Sequence, residues 1–165
     1  MANLEESVWL MRVGTGFDVH AYTTGRKLIL GGVEIDFEKG LEGHSDADVL
    51  VHAVMDAILG ACGLGDIGIH FPDSYMKYKD ISSLTLLGKV REKMKAEGYE
   101  IENIDNILIL QEPKVFKYFE KMRTNIANTL KVDTSRINLK ATTTEHLGFC
   151  GRGEGIAAQA VALLK

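Results

Sequence analysis

The sequence predicts an α/β fold in a single domain, and three observations carry that prediction. Strand-like apolar runs at residues 12–20, 101–110, 137–142 and 156–164 are interleaved with helical patterns near residues 45–58, 80–97 and 114–130. The chain has 165 residues, a length suited to one domain with one core. The composition is that of a globular protein: 45% hydrophobic and 25% charged, with 17 Gly but only 2 Pro, which implies tight turns and little extended linker.

The elements follow in chain order. Arg12 to His20 reads as a strand entering a turn. Gly14 and Gly16 lack the third glycine and following helix of a dinucleotide fingerprint, so they are expected to admit a closely packed backbone. In an extended segment Asp18 and His20 point to one face, as a two-ligand start for a metal site. Gly31-Gly32 between residues 27–30 and 33–35 signals a hairpin, and residues 40–43 form a loop feeding the central helix.

That helix opens at His44-Ser45-Asp46-Ala47-Asp48, with Ser45 or Asp46 expected as N-cap, and Leu50, Val51, Val54 and Ile58 as its core face. Asp48, His52 and Asp56 recur at i, i+4 and i+8 and form a second, polar stripe. Alone, this stripe fits either a solvated surface face or a metal ligand held by neighbouring carboxylates. Residues 63–74 are glycine-rich and read as an irregular loop carrying Asp66, His70 and Asp73; this fits a functional loop or a plain connector.

Residues 80–97 read as a helix with Leu84, Leu87, Val90, Arg91 and Met94 inward and a stop at Gly98. The apolar run Ile107-Leu-Ile-Leu110 suits a buried strand. Residues 114–130 read as a second amphipathic helix with Val115, Tyr118, Phe119, Met122, Ile126 and Leu130 inward. Residues 141–155 gather three Thr, Glu145, Arg152 and four Gly, a composition suited either to phosphate oxygens or to capped turns. Ile156 to Leu164 is expected as a final buried strand.

Several function classes are excluded or disfavoured. A net charge of −4 without a basic face argues against nucleic-acid binding. No apolar run reaches the ~20 residues of a membrane span, and residues 1–10 lack the features of a secretory or transit leader. Cys62 and Cys150 have neither metal nor redox spacing and read as buried reduced thiols of a cytoplasmic protein. What remains is a site drawn from separated stretches. Asp18, His20 and His52 make an Asp/His/His set with the three-ligand pattern of catalytic zinc. Such a zinc would act as a Lewis acid on phosphorus, and Glu145 could hold a second, harder cation bridging phosphates.

In order along the chain stand Gly-Thr-Gly-Phe-Asp-Val-His (14–20), Gly-Gly-Val (31–33), His-Ser-Asp-Ala-Asp-Val-Leu-Val-His (44–52) and Gly-Asp-Ile-Gly (65–68). Phe-Pro-Asp (71–73), Pro-Lys (113–114), Lys-Ala-Thr-Thr-Thr-Glu (140–145) and Gly-Phe-Cys-Gly-Arg-Gly-Glu-Gly-Ile (148–156) follow. Together they resemble the 2-C-methyl-D-erythritol 2,4-cyclodiphosphate synthases of the non-mevalonate isoprenoid pathway, from Met11 to Lys165.

The resemblance implies a lyase that converts 4-diphosphocytidyl-2-C-methyl-D-erythritol 2-phosphate to the 2,4-cyclodiphosphate with release of CMP. It implies zinc on Asp18, His20 and His52, and magnesium or manganese on Glu145. His44, Ser45 and Thr143 would hold the phosphates in the transition state, with His44 and Thr143 as the catalytic pair. Asp66, Gly68, Phe71 and Asp73 would meet the erythritol part. Lys114, Thr142, Thr144, Phe149 and Arg152 would complete the substrate contacts, with residues 110–116 and 142–145 against the cytidine diphosphate. The implied fold is a two-layer α+β sandwich, a mixed β-sheet with helices on one face. Its sheets would face inward in a homotrimer, with active sites between subunits and room on the threefold axis, near Arg152 and Glu154, for an isoprenoid diphosphate.

Residues 1–10 precede the region of resemblance as an N-terminal arm, so a single domain is expected over 11–165. The loop at 72–80 is individual to this chain. Two further readings of the residues remain: a zinc-dependent phosphohydrolase, and a non-catalytic module binding cytidine nucleotide or isoprenoid diphosphate.

Overall fold

The structure, a computed structural model, describes residues 11–72 and 74–165. The expected arm at residues 1–10 and the site candidate Asp73 lie outside the described residues. Among the described residues the chain runs through β1 (Arg12–Thr23), β2 (Leu28–Leu30), β3 (Val33–Ile35), β4 (Gly40–Leu41), α1 (Val49–Cys62), α2 (Ile67–His70) and α3 (Ser83–Ala96). It continues through β5 (Ile101–Ile109), α4 (Phe119–Leu130), β6 (Ile137–Thr142), α5 (Gly148–Gly151) and β7 (Gly155–Leu164). The order across the main sheet is β4-β1-β7-β5-β6, antiparallel except for the parallel β5–β6 pair. β2 and β3 pair as the expected hairpin across Gly31-Gly32.

Strand periodicity gives the sheet two different faces. Even positions of β1 turn inward, where Gly14 and Gly16 are buried beneath α1. A Cβ on Gly14 would stand 2.0 Å from the Ala57 carbonyl oxygen, and one on Gly16 would stand 2.0 Å from that of Ala53. Helix and strand therefore meet backbone to backbone, as the glycine pattern predicts. Across β7 and β5 the same inner face carries Ala158, Ala160 and Ala162 against Ile104 and Leu108, all buried. α3 and α4 complete this layer, α3 packing on α1 and α4 on β6. Odd positions of β1 turn outward, and there Val13 (65% exposed), Phe17 and Val19 stand open.

Several expectations about local structure need correction. The N-cap of α1 is Asp48, which accepts a hydrogen bond from the Val51 N–H, rather than Ser45 or Asp46. The reason lies in the turn before it. Ala47 adopts a left-handed backbone (φ 57°), and Asp46 is drawn away to the start of α3, where it accepts from the Ser83 N–H at 2.9 Å. Asp48, His52 and Asp56 also do not act as one polar stripe. Asp48 is fully buried and accepts from the Gly31 and Gly32 N–H groups, while Asp56 caps the start of α2 through the Ile67 N–H.

The helical boundaries differ as well. The stretch read as an irregular loop holds the single-turn α2, capped by Asp66 through the Ile69 N–H. The 80–97 helix begins only at Ser83, and the 114–130 helix divides into a 3-10 turn, Phe116–Tyr118, followed by α4. Both cysteines are buried and free, as expected.

Candidate metal centre and substrate pocket

The inner face of β1 and one turn of α1 converge on a cluster of three donor atoms. Asp18 Oδ2 lies 2.9 Å from His20 Nε2 and 3.0 Å from His52 Nδ1, and the two histidine nitrogens are 3.1 Å apart. Asp18 and His20 share the inner face because they are two apart in a strand; His52 meets them because Gly14 and Gly16 let α1 descend onto β1. In a tetrahedral zinc site with bonds near 2.0–2.1 Å, ligand atoms stand about 3.3 Å from one another. Three donors spaced at 2.9–3.1 Å therefore fit a zinc ion with only a slight expansion. The donor types, one carboxylate and two imidazoles, suit zinc as well.

The electrostatics favour the ligand form of Asp18, whereas His20 would give up a proton on binding a metal. Burial pushes the Asp18 carboxyl up, but its close contacts with His20 and His52 and their charge outweigh it and hold the group well below the usual carboxylate range. Burial alone would lower the His20 imidazole; its hydrogen bond and attraction to Asp18 raise it instead. His20 Nδ1 faces the Glu42 carbonyl at 2.5 Å. A carbonyl only accepts, so Nδ1 carries the hydrogen and Nε2 is turned to the cluster.

The cluster forms one wall of a cavity of about 390 Å³. His44 and Ser45 line it beside the donors, and Gly68 and Phe71 close it from the α2 side. Met55, Tyr78 and Leu86 add apolar walls that sequence reading did not single out. Leu86 belongs to the periodic face of α3, so its signal was one of core packing. Arg26 donates to the Gly43 and Ser45 carbonyls and holds the 43–45 turn in place. Nothing in its local sequence marks that role.

The remaining candidates stand apart from this cavity. Asp66 caps α2 at its edge. Lys114 is exposed beyond β5. Thr143 donates to Glu145 Oε1 at 2.7 Å, and Glu145 and His146 both take left-handed backbone angles. Thr144 and Phe149 line a small apolar hollow with Phe17, Ile109 and Ala157, on the outer side of the sheet. Arg152 makes a two-pronged ion pair with Glu154.

Register explains the separation. Val19 pairs with Ala157, Ala157 with Ile109 and Ile109 with Thr142, so Thr142 belongs to the outward set while Asp18 belongs to the inward set. Three strand spacings separate β1 from β6, about 14 Å. The single chain thus brings Asp18, His20, His44, Ser45, His52, Gly68 and Phe71 together and holds Lys114, Thr142, Thr143, Thr144, Glu145, Phe149 and Arg152 elsewhere.

The model of the YgbB family matches residues 11–165. The chain belongs to the YgbB family. Curated relatives support the same placement. A 2-C-methyl-D-erythritol 2,4-cyclodiphosphate synthase of Desulforamulus reducens is 59% identical over 155 residues, covering 94% of this chain and 99% of the relative. One of Clostridium kluyveri is 63% identical over 154 residues, covering 93% and 94%.

Solved structures carry the YgbB fold too. The bifunctional IspDF of Campylobacter jejuni superposes with a TM-score of 0.91 at 49% identity; the match covers 94% of this chain but 42% of that longer one. The CDP complex of IspF from Plasmodium falciparum gives a TM-score of 0.82 at 34% identity, covering 93% and 95%. The YgbB assignment and the mixed sheet with helices on one face agree with the fold read from sequence.

Proposed function

We propose that this chain converts 4-diphosphocytidyl-2-C-methyl-D-erythritol 2-phosphate to 2-C-methyl-D-erythritol 2,4-cyclodiphosphate and CMP. The observation that carries the reading is the Asp18/His20/His52 cluster opening onto a cavity beside His44 and Ser45, in a chain 56–63% identical to proteins named for that synthase. In the reaction an oxygen of the 2-phosphate forms a bond to the β-phosphorus. The bond from that phosphorus to the bridging oxygen breaks, and CMP leaves with the electron pair. No side-chain nucleophile is needed, so catalysis reduces to positioning and charge stabilisation.

Asp18, His20 and His52 would hold zinc, which supplies a Lewis acid for a phosphate oxygen when bound. The protein's own groups do the rest. Ser45 Oγ accepts from the Ala47 N–H and contacts His52, leaving its hydroxyl hydrogen for a phosphate oxygen in the cavity. His44, held by the Arg26-braced turn, is the second group placed to meet the phosphates. Phe71, Met55 and Leu86 exclude water from the folded substrate. Asp66, Gly68 and Asp73 are assigned to the erythritol part.

Glu145, as a lone carboxylate, suits magnesium or manganese, ions that keep water and phosphate as their other ligands. Thr142, Thr143, Thr144, Lys114, Phe149 and Arg152 are assigned to the substrate of a neighbouring subunit. This follows from their separation from the cavity within one protomer, and it supports a homotrimer with inward sheets and shared sites. An isoprenoid diphosphate on the threefold axis, near Arg152 and Glu154, belongs to the same reading. So does a cytoplasmic location; among the described residues no helix is long and apolar enough to cross a membrane.

The test is a phosphorus NMR time course with the diphosphocytidyl substrate, zinc and magnesium. CMP together with two coupled cyclic-diphosphate resonances is the expected result. Inorganic phosphate without the cyclic product would establish a phosphohydrolase instead, and an unchanged spectrum with broadened nucleotide lines a binding module.

A further inference from the structure

Behind the metal-facing cluster runs a chain of hydrogen bonds that the reaction chemistry above does not use. His52 turns Nδ1 toward Asp18 and His20; its other nitrogen, Nε2, points into the protein. There it meets Ser83 Oγ at 3.0 Å and Ser45 Oγ at 3.2 Å. Ser83 Oγ in turn lies 2.5 Å from Asp46 Oδ1. Ser83 is fully buried and His52 nearly so, so no bulk water competes for these atoms. Asp46 is itself fixed by two backbone donors: Ser83 N–H to Oδ2 at 2.9 Å and Asp48 N–H to Oδ1 at 3.3 Å.

The direction of each bond follows by counting hydrogens. Asp46 receives N–H donors on both oxygens, the pattern of an ionised carboxylate, which has no hydrogen to give. The short contact to Ser83 is therefore a donation from the hydroxyl. A serine hydroxyl carries one hydrogen, and Ser83 has committed it to Asp46. Its contact with His52 is then an acceptance from Nε2–H, made against the pull of the Asp18 carboxylate, 3.0 Å from Nδ1, toward a hydrogen on that other nitrogen. A neutral imidazole with its hydrogen on Nε2 presents a bare lone pair at Nδ1, the atom facing Asp18 and His20.

Ser45 cannot enforce this alone. Its hydroxyl hydrogen is uncommitted, so it can either accept from Nε2 or donate to it.

We propose that Asp46 and Ser83 are positioning residues that lock His52 in the Nε2–H tautomer, so that Nδ1 is ready to ligate a metal ion. The inference rests on the zinc reading of the cluster and adds to it two residues from outside the ligand set. It also ties the α3 N-terminus to the metal cluster. Asp46 joins that helix to the His52 turn, so the placement of α3 and the basicity of a ligand are set by one carboxylate. Partners of this kind typically change metal affinity by about 10–100-fold when lost.

The test uses the full chain, wild type and Ser83→Ala, with two readouts besides turnover. Long-range nitrogen–proton correlation NMR of the zinc-free protein reports which His52 nitrogen carries hydrogen. Competition with a chromophoric chelator reports zinc affinity. The expected wild-type result is Nε2–H on His52. In Ser83→Ala, Ser45 is free to donate to Nε2, so the tautomer preference is lost and zinc affinity falls about 10–100-fold with the far-ultraviolet circular dichroism unchanged. An Nδ1–H tautomer in the wild type overturns the proposal without need of the variant. A Ser83→Ala protein with wild-type tautomer and zinc affinity overturns it too. A wild type that binds no zinc overturns both this inference and the metal reading, and is thereby told apart from the other failures.

Discussion

His52 and Asp48 sit one helical turn apart and do opposite work. His52→Ala removes one of three donors, so zinc affinity should fall by more than the 10–100-fold typical of partners behind the ligands, and turnover with it. Alanine is a good helix former, and the chain should remain folded by circular dichroism. Full activity in a zinc-free His52→Ala preparation would remove zinc from the mechanism.

Asp48 binds nothing but the protein. It is fully buried and receives three N–H groups, from Gly31, Gly32 and Val51. Burial, reinforced by the charge of Asp46, still pushes its carboxyl up to about 6 from an ordinary value near 3.8. Between those values the native state holds a proton that the unfolded chain has given up. Stability should therefore fall as pH rises from about 4 to about 6 and level off above, an effect on the order of 3 kcal/mol. A carbon NMR titration of the Asp48 carboxyl should show a midpoint near 6; a midpoint at or below 4 would contradict this.

Among the elements, the β1–α1 contact governs both fold and site. A Cβ on Gly16 would meet the Ala53 carbonyl oxygen at 2.0 Å, and neither backbone has a side chain to move aside. Gly16→Ala should cost at least about 2 kcal/mol in urea unfolding. It should also weaken zinc binding, because Asp18 and His52 flank the clash on either element. Gly88 is the contrast: it lies inside α3, and a Cβ there would meet nothing nearer than Thr129 Cγ2 at 4.0 Å. Gly88→Ala should stabilise by about 0.5–1 kcal/mol. Equal effects at the two glycines would show that backbone entropy, not close approach, decides Gly16.

The same contact shows what the sequence could reveal. Gly14, Gly16, Asp18 and His20 alternate on one strand, and strand period alone puts them on one face. His52 falls on the helix above them, so the convergence of the three donors was legible. The N-cap was not. Propensity treats Ser45, Asp46 and Asp48 alike, and the choice was made by the left-handed turn at Ala47 and by a partner 37 residues away at Ser83. The role of Ser83 itself was hidden for the same reason: it is a long-range bond, and locally a serine in the first turn of a helix reads as part of the helix start.

At the scale of the whole molecule, the two faces of the sheet make different demands. The inner face is closed by α1 and α4, with α3 beyond them. The outer face leaves Val13, Phe17 and Val19 open to solvent, and the proposed trimer would cover this apolar exposure. Phe17 lines the hollow that also holds Thr144 and Phe149, so covering this face and completing a substrate site are one event in the proposed trimer. Phe17→Glu should therefore separate two properties. All three candidate donors, Asp18, His20 and His52, come from the inner side of one chain, so zinc stoichiometry should persist near one per chain. Burying a glutamate against a neighbouring subunit costs several kcal/mol, so sedimentation equilibrium should show trimers giving way to monomers at micromolar concentration. Turnover should fall with the trimer, because the Thr142–Glu145 loop would no longer face a neighbour's cavity. A monomeric variant with wild-type turnover would mean that one protomer carries a complete site. A variant that loses zinc along with assembly would mean that the outer face shapes the metal cluster through the sheet.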